Sequence, residues 1–336
     1  MTQKTRQFVL DQLPKGKLGK EHFRLTEAPI PSPGEGEVLL RTRYVSLDAA
    51  NRAWMLGPTY RAALKAGDVM AGGALAEVVE SRSSALKPGD LVFGDVGWRE
   101  YGVVPASTMM KVIPREPLSH AVSVYGIAGL TAYFGLLECG RPKAGETVVV
   151  SAAAGSVGSI VGQIARIKGC RVVGIAGGAE KCALVTSQLG FDASVDYKRF
   201  VGNPTEFYKA LQTACGGGID VYFDNVGGET LDACLFGMKE HGRIAACGAV
   251  SRYDGAPPYG VQGTPMIVSK RITMRGFIVT DFFGQAAKAL SDLEGWVRSG
   301  QLKVLEDIVD GFENLPAALI GLLAGDNIGK RMVKVI

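Results

Sequence analysis

The chain has 336 residues, of which 47% are hydrophobic and 21% charged, with 37 basic residues against 33 acidic ones. That length exceeds what one core usually holds, so two domains are expected. The charge is nearly balanced and spread along the chain, which excludes a strongly basic surface for nucleic acid or anionic membrane.

The opening stretch, MTQKTRQFVLDQLPKGK, lacks the continuous apolar segment of a secretory signal. Over residues 1 to about 120, short runs with strand character recur at 7–9, 23–27, 37–47, 74–80, 90–93 and 99–104. The turns between them are rich in Pro and Gly, as in APIPSPGEGE (28–37) and LKPGD (86–90). Many short strands with few long helices predict a mostly antiparallel, barrel-like domain. An uncharged run at 121–137 contains three glycines. It is shorter than the ~20 residues of a membrane span, so a buried helix pair is expected instead.

From about residue 124 the pattern changes to alternating strand and helix. Its centre is ETVVVSAAAGSVGSIVGQIARIKGCRVVGIAGGAEK (146–181). Residues 147–151 form a short β-branched run suited to a strand buried on both faces. AAGSVG (153–158) follows at once, a variant of the G-x-G-x-x-G turn with Ala153 in the first glycine position. Gly155 would let the backbone approach a pyrophosphate. Gly158 would let the next helix pack tightly while its first amides face the phosphates. Val157, Ile160, Val161, Ile164, Ala165 and Ile167 keep helical spacing, and Gly169 ends the helix. A tight structural turn could show the same glycines. The strand before and the helix after favour nucleotide binding.

The second strand, 171–176, decides which dinucleotide is expected. An NAD site places Asp or Glu at that strand's end to accept from the ribose 2′-hydroxyl. Here Gly177 and Gly178 end the strand, and Lys181 follows. A 2′-phosphate would find space and a cation, so NADP(H) is expected over NAD(H). Further strands at 193–195, 219–224, 243–247 and 272–279 bring the total to about six. Helices at 205–215, from 227–228 to 239, and at 284–298 alternate with them. The pattern is an α/β, doubly wound parallel sheet. A tail of strand (304–309), helix (315–323) and strand (331–335) could return to complete the first domain.

The six cysteines (139, 170, 182, 215, 234 and 247) show no C-x-x-C spacing, and none precedes residue 139. Neither a disulfide framework nor a zinc ribbon is indicated, and a reducing cytoplasm fits. The histidines are His22, His120 and His241, so a His-rich metal site is not expected.

Several long stretches, in order, resemble the zinc-free medium-chain dehydrogenase/reductase family. Its members include prostaglandin reductase (leukotriene B4 12-hydroxydehydrogenase), curcumin reductase and alkenal double-bond reductase. The stretches are VSLDAANRAWM (45–55), GDVMAGG (67–73), GLTAYFGL (129–136), AAAGSVGSIVGQIA (152–165), GCRVVGIAGGAEK (169–181), DNVGG (224–228) and GDNIGK (325–330). The resemblance implies a GroES-like substrate domain of residues 1–124 and 301–336 with a Rossmann NADP(H)-binding domain of 125–300. It implies that Gly155, Ser156, Val157 and Gly158 cradle the pyrophosphate. Gly178, Lys181 and Tyr197 would hold the adenosine 2′-phosphate. Asn225 would meet the cofactor at its strand end. Cys247, Gly248, Ala249, Val250, Ser251 and Tyr253 would line the nicotinamide side with Phe277, Ile278 and Val279, and Asn327 would close from the C-terminal segment.

The implied chemistry is zinc-independent reduction of an α,β-unsaturated aldehyde or ketone, with NADPH delivering hydride to the β-carbon. Tyr253 is the first candidate proton donor and Tyr60 a substrate-pocket tyrosine. Tyr253 could instead only wall the pocket, with a ribose hydroxyl or water supplying the proton. The alternatives are a quinone reductase and a crystallin-like NADPH-binding protein without turnover. The resemblance also implies a cytoplasmic homodimer acting on a small molecule, with no nucleic-acid or membrane partner. One departure stands out: where the family has LDPYMRG, this chain reads LDAANRA (47–53). Ala49 and Ala50 are expected to widen a pocket wall, and Asn51 to insert a polar group into it.

Overall fold

The computed structural model describes residues 4–255, 257 and 259–335. Two compact units emerge: one from the described residues of 4–122, 253–255 and 306–335, the other from those of 123–252 and 257–305.

In the first unit, β1 (Lys4–Leu10) and β2 (Phe23–Pro29) form an antiparallel pair. The main sheet is built on β3 (Glu37–Ser46), a ten-residue strand flanked by β4 (Gly73–Ser81), β6 (Tyr101–Pro105) and β15 (Lys330–Lys334). β5 (Leu91–Asp95) and β7 (Met110–Lys111) extend it on one side, and β14 (Glu306–Asp310) runs parallel to β15 on the other. The pairing of Met332 with Ser46 joins the end of the chain to its beginning. A short α1 (Ala50–Ala53) follows β3, and α9 (Leu315–Ala324) lies between β14 and β15. Trp98 anchors the core, fully buried, with Phe23 stacked on it at 5.2 Å and Phe8 edge-on at 6.1 Å. Burying each of those phenylalanines contributes about 1.5–3 kcal/mol.

Lys330 explains why two distant sequence stretches belong together. It is 3% exposed, and its ammonium donates to Leu47 O at 2.9 Å and to the Asp48 carboxylate. Ser46 Oγ donates to the second Asp48 oxygen at 2.6 Å. A buried cation needs such partners, because desolvating it alone costs several kcal/mol. LD at 47–48 and GDNIGK at 325–330 are thus two halves of one contact.

The second unit is a six-stranded parallel sheet in the order β10, β9, β8, β11, β12, β13. These strands are β8 (Thr147–Ser151), β9 (Arg171–Ala176), β10 (Ala193–Asp196), β11 (Ile219–Asp224), β12 (Met238–Ala246) and β13 (Thr273–Gly276). Its helices are α2 (Ile127–Phe134), α3 (Gly158–Ile167), α4 (Ala179–Ser187), α5 (Pro204–Cys215), α6 (Gly228–Gly237), α7 (Thr264–Ser269) and α8 (Ala286–Arg298). Val148, Val149 and Val150 of β8 have no exposed surface, as a central strand covered on both faces requires. The strand order reverses between β8 and β11, the point at which doubly wound sheets bind ligands.

Three local readings change. Residues 121–137 are not a helix pair: α2 runs directly into a π-helical turn, Gly135–Gly140. Gly135 continues the helix because the Phe277 and Phe223 rings occupy the space a side chain there would need. α6 stops at Gly237, and β12 begins at the next residue, so Lys239 is in a strand, its ammonium 2.7 Å from Asp220. α4 and α7 lack a sequence signal. α4 fully buries Val185 alone and so carries no apolar stripe. Among the described residues no helix is long and apolar enough to cross a membrane.

Lys330→Ala should destabilise the protein by about 2–4 kcal/mol, since it strips the buried carbonyl of Leu47 and the Asp48 carboxylate of their donor. Urea unfolding would show this as a lowered midpoint with unchanged slope.

Candidate functional site

The glycine loop starts with strain. Ala152, directly after β8, has a φ of +49°, a left-handed conformation that costs an alanine about 1–2 kcal/mol. The turn it makes brings Ala152 O to within 2.9 Å of the Gly155 amide. A Cβ on Gly158 would stand 2.3 Å from the same oxygen, so only glycine fits where α3 begins. Ser156 lies in the turn between, and its hydroxyl is buried without a hydrogen-bond partner among the described residues. An orphaned hydroxyl beside free helix-terminal amides is a fitting cradle for a phosphate.

At the end of β9 the chain makes a second such place. Ala176 pairs with Asp196 of β10, and Asp196 Oδ1 accepts from the Gly178 amide at 2.7 Å and from the Lys198 amide at 3.1 Å. Gly178 has a φ of +97°, open to glycine and strained for other residues. Gly177 is needed for a different reason: a Cβ there would lie 2.9 Å from the Tyr197 ring and 3.0 Å from Lys198 Cε. Tyr197 therefore lies across the bare backbone of Gly177. Lys181 stands half-buried in the first turn of α4. Lys198, not singled out from the sequence, lays its stem on the same Gly177 surface. Its signal was available in the adjacent YK of VDYKRF (195–200).

A third group forms where β8 and β11 end. Ser151 Oγ accepts from the Asn225 amide at 2.9 Å and lies 3.0 Å from Tyr222 Oη, while Asn225 Nδ2 donates to Ser151 O at 2.8 Å. Asp224 Oδ1 accepts from Tyr222 Oη at 2.7 Å and from the Val226 and Gly227 amides at 3.0 and 2.8 Å. Burial raises the Asp224 carboxyl above its ordinary range, against the pull of these donors. The 247–251 segment lies over this turn. The amides of Cys247 and Gly248 donate to Asp224 O, that of Val250 to Asn225 O, and that of Ser251 to Val226 O. Ala249 Cβ faces Gly227, at 3.4 Å from where a Cβ would be. Phe277, after β13, turns its ring into the core against Phe223, centroids 6.2 Å apart. Ile278 is half-buried and Val279 buried.

Tyr60, Tyr253 and Asn327 belong to the first unit. Tyr60 stands edge-on to Trp54, which donates from Nε1 to its hydroxyl at 3.2 Å, and Arg61 covers the Trp54 ring at 4.6 Å. Withdrawal of the hydroxyl from water raises the Tyr60 pKa despite the Trp54 hydrogen bond, and Asp48 and Tyr253 add to the rise. Asn327 donates from Nδ2 to Gly329 O at 2.9 Å, inside its own turn. Asn51 differs from its expected role. It is 1% exposed, its Oδ1 accepts from the Asp48 amide and its Nδ2 donates to Ala71 O, so it fixes backbone and adds no polar group to a pocket wall.

A six-stranded parallel sheet with a glycine turn at its switch point, in one chain with a separate antiparallel unit, defines a dinucleotide-dependent oxidoreductase of the medium-chain type. Family models agree: "N-terminal domain of oxidoreductase" matches residues 6–112 and "Zinc-binding dehydrogenase" residues 156–294. The chain is 42% identical to NADPH-dependent curcumin reductase of Escherichia coli, over 99% of this chain and 97% of that one. It is 40% identical to 2-alkenal reductase (NADP(+)-dependent) of Nicotiana tabacum, over 90% of this chain and 88% of that one. The solved structure of CurA in complex with NADPH from Vibrio vulnificus superposes with a TM-score of 0.91 at 39% identity, covering 98% and 99% of the two chains. The chain belongs to this family of NADP-dependent medium-chain reductases. Among the described residues no group of three or more His, Cys, Asp or Glu side chains could hold a metal ion.

Burial holds the thiols in their protonated form. Burial pushes Cys247 and Cys215 up to about 12 and Cys170 to about 11, from an ordinary value of 9.0. Each folded thiol holds its proton more tightly than the unfolded one, so its stabilising contribution is complete below pH 9 and is lost as pH rises toward 12. Iodoacetamide at pH 8 should alkylate Cys215 and Cys247 at least ~100-fold more slowly in the folded protein than in urea. The unfolding midpoint should fall steadily above pH 9.

Proposed function

We propose that the protein reduces the carbon–carbon double bond of α,β-unsaturated aldehydes and ketones with NADPH. The observation that carries this reading is its full-length similarity to a curcumin reductase and a 2-alkenal reductase, two enzymes whose named substrates are conjugated carbonyls. The bound nicotinamide supplies a hydride to the β-carbon. The residues of the chain do the remaining work. Gly155, Ser156, Val157 and Gly158 bind the pyrophosphate, as the buried unpartnered Ser156 hydroxyl suggests. Gly178, Lys181 and Tyr197 hold the 2′-phosphate, with Lys198 as a second cation beside the Gly177 backbone.

Asn225, the 247–251 segment and the backbone of Phe277, Ile278 and Val279 line the nicotinamide side, and Asn327 reaches it from the C-terminal segment. The Phe277 ring is committed to the core, which leaves its backbone for the cofactor. As hydride arrives, negative charge builds on the carbonyl oxygen and the α-carbon needs a proton. Tyr253 supplies that proton, and Tyr60 offers a second hydroxyl to the oxygen. The raised pKa of Tyr60 keeps it a donor.

Residues 1–124 and 301–336 serve as the substrate domain and 125–300 as the cofactor domain. The working form is a homodimer: all four residues of the edge strand β13 are exposed, with Met274 at 42%, a surface suited to a second copy. Six unpaired cysteines suit a reducing cytoplasm.

Two measurements test the reading. Lys181→Ala should raise the NADPH dissociation constant about tenfold, the loss of roughly 1.4 kcal/mol, and change that of NADH less than twofold. Tyr253→Phe should lower kcat for an alkenal at least ~10-fold with NADPH affinity intact. A protein that oxidises simple alcohols and leaves enals, enones and quinones untouched refutes the proposal.

A further inference from the structure

Arg52 is the most deeply buried cation of the first unit, with a side chain 1% exposed. Its Nε donates to Asp254 Oδ1 at 3.3 Å and its Nη2 to Gly16 O at 2.7 Å. Asp254 Oδ1 also accepts from the Leu18 amide at 2.7 Å. Gly255 lies against the same loop: a Cβ on it would stand 2.9 Å from the Gly16 carbonyl carbon and from the Lys17 nitrogen. Three separate pieces of chain, 16–18, α1 and 254–255, therefore meet on one ion pair, its Arg52 end buried and its Asp254 side chain 24% exposed.

A buried ion pair is a poor way to gain stability, because apolar groups of similar volume do as well or better. Its strength is geometric: the guanidinium accepts its partners in fixed directions. The residue next to Asp254 is Tyr253, which is near enough to Tyr60 to add to the rise of the Tyr60 pKa. The 253–255 stretch has no helix or strand to hold it, and Gly255 adds a left-handed φ of +75°. The anchor is what ties this irregular backbone, and Tyr253 with it, to the 16–18 loop and α1.

We infer that Asp254 and Arg52 are positioning residues, whose half-buried ion pair locks the Tyr253 hydroxyl in place for proton delivery to the substrate. This rests on the reading of Tyr253 as the proton donor. A donor displaced by about 1 Å can lose ~100-fold in rate, so an anchor one residue away matters for turnover more than for binding.

The test is a double-mutant cycle on the whole enzyme, with an alkenal and NADPH. Asp254→Ala should lower kcat about tenfold while the NADPH dissociation constant moves less than twofold. Added to Tyr253→Phe, it should lower kcat less than twofold further, since the hydroxyl it positions is gone. Asp254→Asn, whose amide oxygen still accepts from Leu18 and Arg52, should keep kcat within threefold. Should Asp254→Ala not fold, Arg52→Lys, which keeps a buried cation but loses the Nε donor, takes its place with the same expected pattern. Equal losses in the wild-type and Tyr253→Phe backgrounds, or an unchanged kcat in the anchor variants, overturn the positioning role while leaving Tyr253 as donor. An unchanged kcat in Tyr253→Phe alone overturns the donor reading and the anchor's purpose with it.

Discussion

The C-terminal edge of the parallel sheet depends on the junction of Ser151 and Asp224 at the ends of β8 and β11. Two neighbouring strands end there with polar groups that water would otherwise have to satisfy. Ser151 takes up the Asn225 backbone and side chain, and Asp224 takes up the Val226 and Gly227 amides with the Tyr222 hydroxyl. The Tyr222 hydroxyl and the Asn225, Val226 and Gly227 amides all find acceptors here, the condition under which a buried polar network rigidifies its surroundings. The 247–251 segment is then hung on the carbonyls of Asp224, Asn225 and Val226. One carboxylate and one hydroxyl thereby set the shape of two loops that come from different strands.

The same economy appears in the antiparallel unit, where buried charges join remote parts of the chain. Lys330 ties the C-terminal stretch to Asp48, and Arg52 ties the 16–18 loop to Asp254. Hydrophobic contacts such as Phe23 on Trp98 supply the bulk of the stabilisation but tolerate small shifts. Ion pairs of fixed geometry do not. Their placement next to Tyr60, Tyr253 and the GDNIGK stretch suits a unit in which the position of a few polar groups matters.

Closely packed glycines do a related job at the turns after β8 and β9. At Gly158 the absent Cβ lets α3 press against Ala152 O, and at Gly177 it lets Tyr197 lie on the backbone. The strain at Ala152 is accepted at the one turn where the chain must leave a fully buried strand and start a helix at once.

Much of this was legible from the chain alone, because it depends on neighbours in sequence. Period-two and short β-branched runs gave the strands, so 147–151, 171–176 and 219–224 coincide with β8, β9 and β11. The glycine turn and the missing carboxylate after β9 pointed to a phosphorylated dinucleotide for the same local reason. Tertiary contact decided the rest. Gly135 looks like a helix breaker until Phe277 and Phe223 fill its side, and α4 has no stripe to announce it. Asn51 reads as a pocket group until its amide is found bonded to Asp48 and Ala71. Arg52 and Asp254 are 202 residues apart, and no periodicity or motif links them. Sequence determines what is settled within a turn or a strand. Where a buried charge finds its partner is settled only when the chain has closed on itself, because the partner's identity is a matter of distance in space.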